Sequence, residues 1–328
     1  MLDFSYTGLV IHRAVYAAAK LGIADLLAVG PRTGDELAVA TGTDGRSLYR
    51  LLRALASAGL FTELPGHRFE LTPLGATLRS DSPRSMRSWV LFSGEPFYLH
   101  AWEDIVYSIR TGQPTWDRAY GVPFFEYLTH HPESAAIFDE AMTSLSTSEA
   151  AAVTAAYDFS RFRALVDVGG GHGTLLAAIL RANPRLRGTL FDQPEVVEGG
   201  RKRIGEEGLA SRVDIVGGSF FDRVPDGGDC YLLKYVIHDW DDKRALAILG
   251  NIRRAISKNA KLLLVETIIP PPPQPHYAKI ADLEMLVLLG SQERTLEEYA
   301  GLLKQAGFRL TRVVPTREYL SIVEAVPA

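Results

Sequence analysis

The 328-residue chain has one cysteine, Cys230, which excludes an internal disulfide framework and most cysteine-built metal sites. Cys230 stands in the apolar run Cys230-Tyr231-Leu232-Leu233 and reads as a small buried hydrophobe. Positive charge is not in surplus either: 35 Lys and Arg face 39 Asp and Glu, for a net charge of −4. Polyanion binding draws on clustered basic side chains, so no nucleic acid is expected, and a small neutral or weakly charged ligand fits better. The sequence has no uncharged apolar stretch of the roughly 18 residues that cross a bilayer. Met1 to Val10 lack the basic region and cleavage site of a signal peptide, so the expected location is cytoplasmic, with no membrane partner.

What is present is apolar bulk. Hydrophobic residues make up 47% of a chain longer than one core usually supports, which predicts two domains, 1–150 and 151–328. The first hundred residues read as helices with short breaks, beginning with Val10 to Leu27, where Gly22 is the weak helix former. Two short helices follow, one through Thr33 to Ala38 and one from Ser47 to Ala58, stopped by Gly59. Leu60 to Leu64 and Arg68 to Leu71 then alternate as brief strands around Pro65-Gly66. Helix, turn, helix and hairpin together resemble a winged helix.

A winged helix invites a DNA-binding reading, which the charges oppose. Pro31 to Ser80 carry six arginines, no lysine and five acidic side chains. Arg46, Arg50 and Arg53 could share a helix face, but Asp44 precedes them and no further basic stripe supports them. Leu48, Leu51, Leu52 and Leu55 read as a core or a subunit contact, with the arginines on the solvated face.

Residues 86–142 are dense in aromatics, which serve as core or as the wall of a pocket for an aromatic ligand. Phe124, Phe125, Phe138 and Met142 are wall candidates, with Met285 and Leu289 further along the chain. Pro132 opens a long helix through Ala156 into the second domain. Thereafter strands and helices alternate, the pattern of a parallel sheet covered on both faces. Strands are expected at 165–168, 188–191, 213–216, 230–236 and 261–266, with helices at 174–181, 196–205 and 243–256. The last two strands, 308–314 and 319–325, are joined by a turn too short for a parallel crossover and must be antiparallel.

Three motifs carry chemistry. Asp167-Val168-Gly169-Gly170-Gly171-His172-Gly173 links a strand to a helix, where glycines let the backbone turn tightly and approach a ligand at a helix N-terminus. Its glycines fit Gly-x-Gly-x-Gly at 169, 171 and 173, whereas the dinucleotide fingerprint needs its third glycine at the place of Thr174. Asp167 suits a cationic amino group or an ordered water. Asp192, ending the next strand in Phe191-Asp192-Gln193-Pro194, can accept both hydroxyls of a ribose, which supports a nucleoside without choosing one. The turn at Gly217-Gly218-Ser219-Phe220 could hold an adenine edge with Ser219 and its face with Phe220, or be a plain glycine turn.

The third motif, Lys234-Tyr235-Val236-Ile237-His238-Asp239-Trp240-Asp241-Asp242, lies where open parallel sheets bind ligands, beyond a strand's C-terminal end. Asp241 and Asp242 read as the N-cap region of the next helix. His238 has a carboxylate in reach if Glu266, ending the neighbouring strand, bonds Nδ1–H and leaves Nε2 to take a proton.

Taken together, the glycine loop, Phe191 to Pro194, His238-Asp239-Trp240, Val265-Glu266 and Gln292-Glu293-Arg294-Thr295 resemble the small-molecule O-methyltransferases that use S-adenosylmethionine. These are the plant caffeate and acetylserotonin type and the bacterial natural-product tailoring type. The resemblance spans essentially the whole chain. It implies a Rossmann-like α/β methyltransferase sheet with a terminal antiparallel hairpin, a mostly helical winged-helix dimerisation domain, and a homodimer. It implies His238 as general base flanked by Glu266 and Glu293, and Asp239 beside a small aromatic acceptor. Asp167, Gly169, Gly171, Gly173, Asp192, Gln193, Ser219, Phe220, Lys234 and Trp240 would hold S-adenosylmethionine, with S-adenosylhomocysteine as product and no metal. The family commonly has Asp where this chain has Ser219. Rival readings are a non-methylating enzyme on the same scaffold and a winged-helix regulator.

Overall fold

A computed structural model describes residues 2–82 and 85–328, and their contacts divide them into two compact units. One holds the chain to Leu99 together with Pro132–Ser148; the other holds His100–His131 together with Glu149–Ala328. The chain crosses between them at 99/100, 131/132 and 148/149. The division is not linear, however, because 100–131 packs with the C-terminal unit.

The N-terminal unit begins with α1 (Gly8–Lys20) and α2 (Ile23–Leu27). The single helix expected from Val10 to Leu27 is broken here, because Gly22 takes a left-handed φ of +67°. Next come β1 (Arg32–Thr33), α3 (Gly34–Thr41), α4 (Gly45–Ser57), β2 (Phe61–Leu64) and β3 (Arg68–Leu71). Thr33 and Glu36 form a reciprocal capping box at α3, and Asp44 caps α4 through the Ser47 N–H. β1 was not foreseen; it pairs antiparallel with β3, giving the order β1-β3-β2. Leu37, Leu48, Leu52, Leu55, Phe61 and Phe69 close the core beneath these elements, while Leu51 of α4 is half-buried against it.

After α5 (Arg87–Gly94), short helices α6 (Pro96–Trp102), α7 (Ile105–Thr111), α8 (Thr115–Tyr120) and α9 (Phe124–His130) lead to α10 (Pro132–Ala156). The alternation then runs β4 (Ala164–Val168), α11 (Thr174–Ala182), β5 (Arg187–Asp192), α12 (Pro194–Glu206), β6 (Val213–Gly217), β7 (Cys230–Lys234), α13 (Asp242–Ala255) and β8 (Lys261–Ile269). The chain closes with α14 (Ala278–Leu289), β9 (Arg294–Thr295), α15 (Leu296–Gln305), β10 (Phe308–Pro315) and β11 (Leu320–Pro327).

Among the described residues these strands form an eight-stranded sheet in the order β10-β11-β8-β7-β4-β5-β6, with β9 parallel to the end of β8. β10 and β11 are antiparallel and the central strands parallel, as expected. The strands are apolar on both faces because helices cover both. Leu165, Leu232, Leu263 and Val265 point to one core with α11, and Val166, Leu233, Leu262 and Leu264 to the other with α13 and α15. The chain runs outward from β4 to β6 and returns to β7 beside β4. This switch point opens a crevice at the strands' C-terminal ends.

Candidate active site

The crevice is lined by the turns that follow β4 and β7. Gly169, Gly171 and Gly173 all have positive φ, at +69°, +56° and +74°. A Cβ on Gly169 would stand 2.7 Å from Val236 Cγ2, whereas one on Gly171 would meet nothing within 4 Å. The first glycine thus lets two loops touch, and the second leaves open space beside the backbone.

The Asp192 carboxylate accepts the Gly171 N–H at 2.7 Å and the Gln193 N–H at 2.7 Å, so it shapes the glycine loop from the end of β5. Gln193 itself sits at the N-terminus of α12. Asp167 is buried and its Oδ2 has no partner. Burial, with Asp192 adding to it, pushes Asp167 up to about 7 despite the opposing Lys234 charge. Thr174 Oγ1 and Trp240 Nε1 are likewise buried without partners. Orphaned polar atoms of this kind call for an explanation. An acidic oxygen, a hydroxyl and an indole N–H around a glycine loop fit a ligand with a cationic amine and a nucleoside.

Phe220 reaches the glycine loop, since a Cβ on Gly169 would lie 3.7 Å from its Cε1, and its ring meets Trp240 edge-on at 6.0 Å. Ser219 Oγ accepts the Phe221 N–H at 3.2 Å, so its hydroxyl oxygen serves its own turn. Lys234 pairs with Glu149 Oε2 at 3.0 Å and is almost buried, an ion pair between residues far apart in the sequence. The clue was a lone carboxylate in the alanine-rich second half of α10.

His238 is the centre of a second cluster. Its Nδ1 bonds Glu293 Oε1 at 2.9 Å, while Glu266 Oε2 stands 3.9 Å off. Glu266 had been expected to hold Nδ1–H. Its Oε1 instead accepts the N–H groups of Val236 at 3.2 Å and Ile237 at 2.9 Å, capping the turn from β8. Thr267 Oγ1 donates to the other Glu293 oxygen at 2.5 Å, and Asp282 accepts the Glu293 N–H at 2.9 Å. Nε2, expected to be open, lies 3.3 Å from Asp239 Oδ1. Burial works against charge on the ring, but Glu293, Asp239 and Glu266 outweigh it and raise His238 to about 10. Burial raises Asp239 to about 7 against the pull of His238, and Glu266 to about 6. The three acidic side chains around the ring therefore favour its protonated form.

Arg294, inside the Gln292-to-Thr295 motif, has a structural role that its place in the sequence does not announce. It is fully buried and donates to the carbonyls of Ile237 at 2.9 Å and Trp240 at 2.8 Å, bracketing His238 and Asp239. It also pairs with Asp242 at 2.8 Å, while Asp241 caps α13 through the Arg244 N–H at 2.8 Å.

Of the expected wall residues, Phe125 meets Trp240, the ring centroids 5.6 Å apart. Phe124 packs on Phe125 and Trp116 and is buried. Met285 and Leu289 are half-buried on α14, which packs against the Ile237–Asp239 turn. Phe138 and the half-buried Met142 belong to the N-terminal unit, where Phe138 joins the Phe92 aromatic cluster at 5.6 Å. Among the described residues no group of His, Cys, Asp and Glu is arranged to hold a metal ion, and no helix is long and apolar enough to cross a membrane.

Residues 102–309 match the model of the O-methyltransferase domain, and residues 5–81 that of the O-methyltransferase dimerisation domain. The chain is 47% identical to the phenazine O-methyltransferase PhzM of Lysobacter antibioticus, over 98% of this chain and 94% of that one. It is 40% identical to the 8-amino-8-demethylriboflavin N,N-dimethyltransferase of Streptomyces davaonensis, over 94% and 90%. Among solved structures, LaPhzM superposes with a TM-score of 0.93 at 47% identity, covering 98% of this chain and 97% of that one. The O-methyltransferase NcsB1 of neocarzinostatin biosynthesis, crystallised with S-adenosylmethionine and 2-hydroxy-5-methyl naphthoic acid, has a TM-score of 0.82 at 36% identity, covering 97% and 96%.

Proposed function

The chain belongs to the O-methyltransferase family, and we propose that it methylates a hydroxyl of a small aromatic acceptor, with His238 as the base. It is an S-adenosylmethionine-dependent methyltransferase. The observation that carries the hydroxyl reading is the imidazole of His238, held by Glu293 through Nδ1 with Nε2 directed toward Asp239. The match of residues 5–81 to a dimerisation domain supports a homodimer built through the N-terminal unit.

When bound, S-adenosylmethionine supplies a methyl group already made electrophilic by its sulfonium. Asp167 would meet the cofactor's ammonium, Asp192 its ribose, and Phe220 and Trp240 its adenine. Ser219 offers no carboxylate there. What remains for this chain is to align an acceptor oxygen and take its proton. Alignment contributes roughly 7 to 11 kcal/mol and a base about 10²- to 10⁴-fold in rate. With the ring in its protonated form, Nε2 must first surrender its proton. Asp239, raised to about 7, is the group placed to accept it, after which Nε2 takes the proton of the acceptor hydroxyl. The two side chains thus titrate as a coupled pair.

A second reading, methylation of an aromatic nitrogen, is favoured by one observation: Glu293 and Asp239 stand at both ring nitrogens of His238 and favour its protonated form, whereas an amine lone pair attacks without prior deprotonation. An N,N-dimethyltransferase among the relatives supports it. Mass spectrometry with a label in the donor methyl, on a panel of phenols and heteroaromatic amines, separates the two. Phenol ethers formed by the wild type, and lost by about 10²- to 10⁴-fold in His238→Ala with partial recovery at high pH, are expected. Undiminished ether formation in that variant at neutral pH sinks the base assignment. Labelled amines alone favour nitrogen, and a transformed but unlabelled product points to non-methylating chemistry.

A further inference from the structure

Tyr235 departs from the sequence expectation most sharply. The strand expected through Val236 ends at Lys234, because Tyr235 takes a φ of +54°. A left-handed backbone is rare for a bulky aromatic residue and persists only where its surroundings over-determine it. Packing alone would be met from ordinary backbone, and Gly or Asn would adopt this conformation with less strain.

The turn places the phenol ring flat beside the imidazole of His238, with centroids 5.1 Å apart and planes 14° from parallel. The Tyr235 hydroxyl donates to Glu149 Oε1 at 2.8 Å, and burial with the Glu149 charge keeps that proton on the phenol. Lys234 Nζ lies 4.1 Å from the centre of the same ring and pairs with the second Glu149 oxygen. All four residues belong to the C-terminal unit.

The bonds of His238 to Glu293 and toward Asp239 lie at its edges. They leave the imidazole able to tilt about the line joining its two nitrogens. A face-on partner removes that freedom, and an aromatic face also favours a cationic ring. The geometry points to Tyr235 as a positioning residue for His238: its strained backbone turns the phenol against the imidazole face, and Glu149 and Lys234 hold it there. Other charged groups at this imidazole are Glu266 on β8 and, along the backbone of its turn, Arg294. The catalytic consequence rests on His238 being the base; the geometric one does not.

The test uses the full chain with isotope-labelled histidine, without cofactor or acceptor, and compares the wild type with Tyr235→Asn and Tyr235→Phe. His238→Asn identifies the His238 signals. The inference expects these imidazole C–H signals to lose an upfield ring-current displacement in Tyr235→Asn. It also expects kcat to fall by about 10- to 100-fold, with KM for the methyl donor changing less than about threefold. Tyr235→Phe, which keeps the ring and loses the Glu149 bond, should retain the displacement with broadened His238 signals and a smaller loss of kcat. Identical His238 signals in the wild type and Tyr235→Asn overturn the inference. Should the Asn variant fail to fold, unchanged signal width and kcat in Tyr235→Phe overturn it equally. Displaced signals together with full turnover by His238→Ala leave the positioning intact and defeat the base assignment instead.

Discussion

Glu293 bonds His238 Nδ1 at 2.9 Å, while Glu266, the carboxylate on the strand next to His238, is spent on two backbone N–H groups. The two glutamates therefore divide the work between charge and architecture. Glu293→Gln removes the largest of the charges that raise His238 and should lower kcat for a phenolic acceptor by roughly 10²-fold, within the range a general base contributes. Glu266→Met strands the Val236 and Ile237 N–H groups, and should cost about 1 to 3 kcal/mol for each buried donor left unpaired. Steady-state kinetics beside urea denaturation checks the split. Equal loss of stability in both variants would refute it.

Stability should fall away at both ends of the pH range for different reasons. Burial raises Glu324, but bonds from Tyr157, Thr311, Lys261 and Arg312 more than offset this and lower it from 4.5 to about 2. A depressed carboxylate contributes stability that is present above its unfolded pKa and is lost as pH falls from 4.5 through about 2. His238 is raised, so its contribution is complete below 6.5 and is lost as pH rises through about 10. Asp239 and Glu266, raised by burial, give a contribution lost as pH climbs toward about 7 and about 6, opposing the recovery that Glu324 brings. Denaturation across pH should show Glu324→Gln flattening the acid limb and His238→Gln the alkaline one.

The glycine loop offers an internal control. Gly169 and Gly171 both have positive φ, so alanine strains the backbone at either, by about 1 kcal/mol or somewhat more. At Gly169 the new methyl would also strike Val236 at 2.7 Å, pushing the two loops apart, whereas at Gly171 it meets open space. Gly169→Ala should weaken S-adenosylmethionine binding by at least about tenfold more than Gly171→Ala, as read by calorimetry. The reverse order would mean that the space beside Gly171 is where the ligand's own atoms lie.

The alternating half of the fold was legible because each parallel strand is a short apolar run bounded by turn residues, and the terminal hairpin because its linker is too short to cross over. Asp167 to Gly173 was legible since one local stretch holds the turn, the carboxylate and the helix start. Residues whose meaning is set at long range were not. Nothing in Gln292 to Thr295 tells that β9 lies along the end of β8, so Glu293 reached its place beside His238 through the family resemblance. The turn at Tyr235 was hidden because tyrosine between Lys234 and Val236 is good strand sequence. A two-residue strand such as β1 has no period to detect, and the packing of Phe138 against Phe92 joins residues far apart in the chain.

Arg294 provides the sharpest test of how the His238 turn is held. Its guanidinium is fully buried, yet it donates to two carbonyls on either side of His238-Asp239 and pairs with Asp242, whose own side chain is largely exposed. A methionine there fills much of the volume but leaves both carbonyls without their donor and unties the turn from the start of α13. Each buried carbonyl left unpaired costs about 1 to 3 kcal/mol, while the exposed Asp242 is rehydrated. Lysine keeps the charge but lacks the planar fork, so it can serve one carbonyl and not both. The expected order in thermal stability is wild type, Arg294→Lys, Arg294→Met. Activity should fall further than stability predicts, because Arg294→Lys folds with His238 and Glu293 no longer in register. An Arg294→Lys enzyme with wild-type kcat would show that Glu293 and Asp239 hold the imidazole unaided.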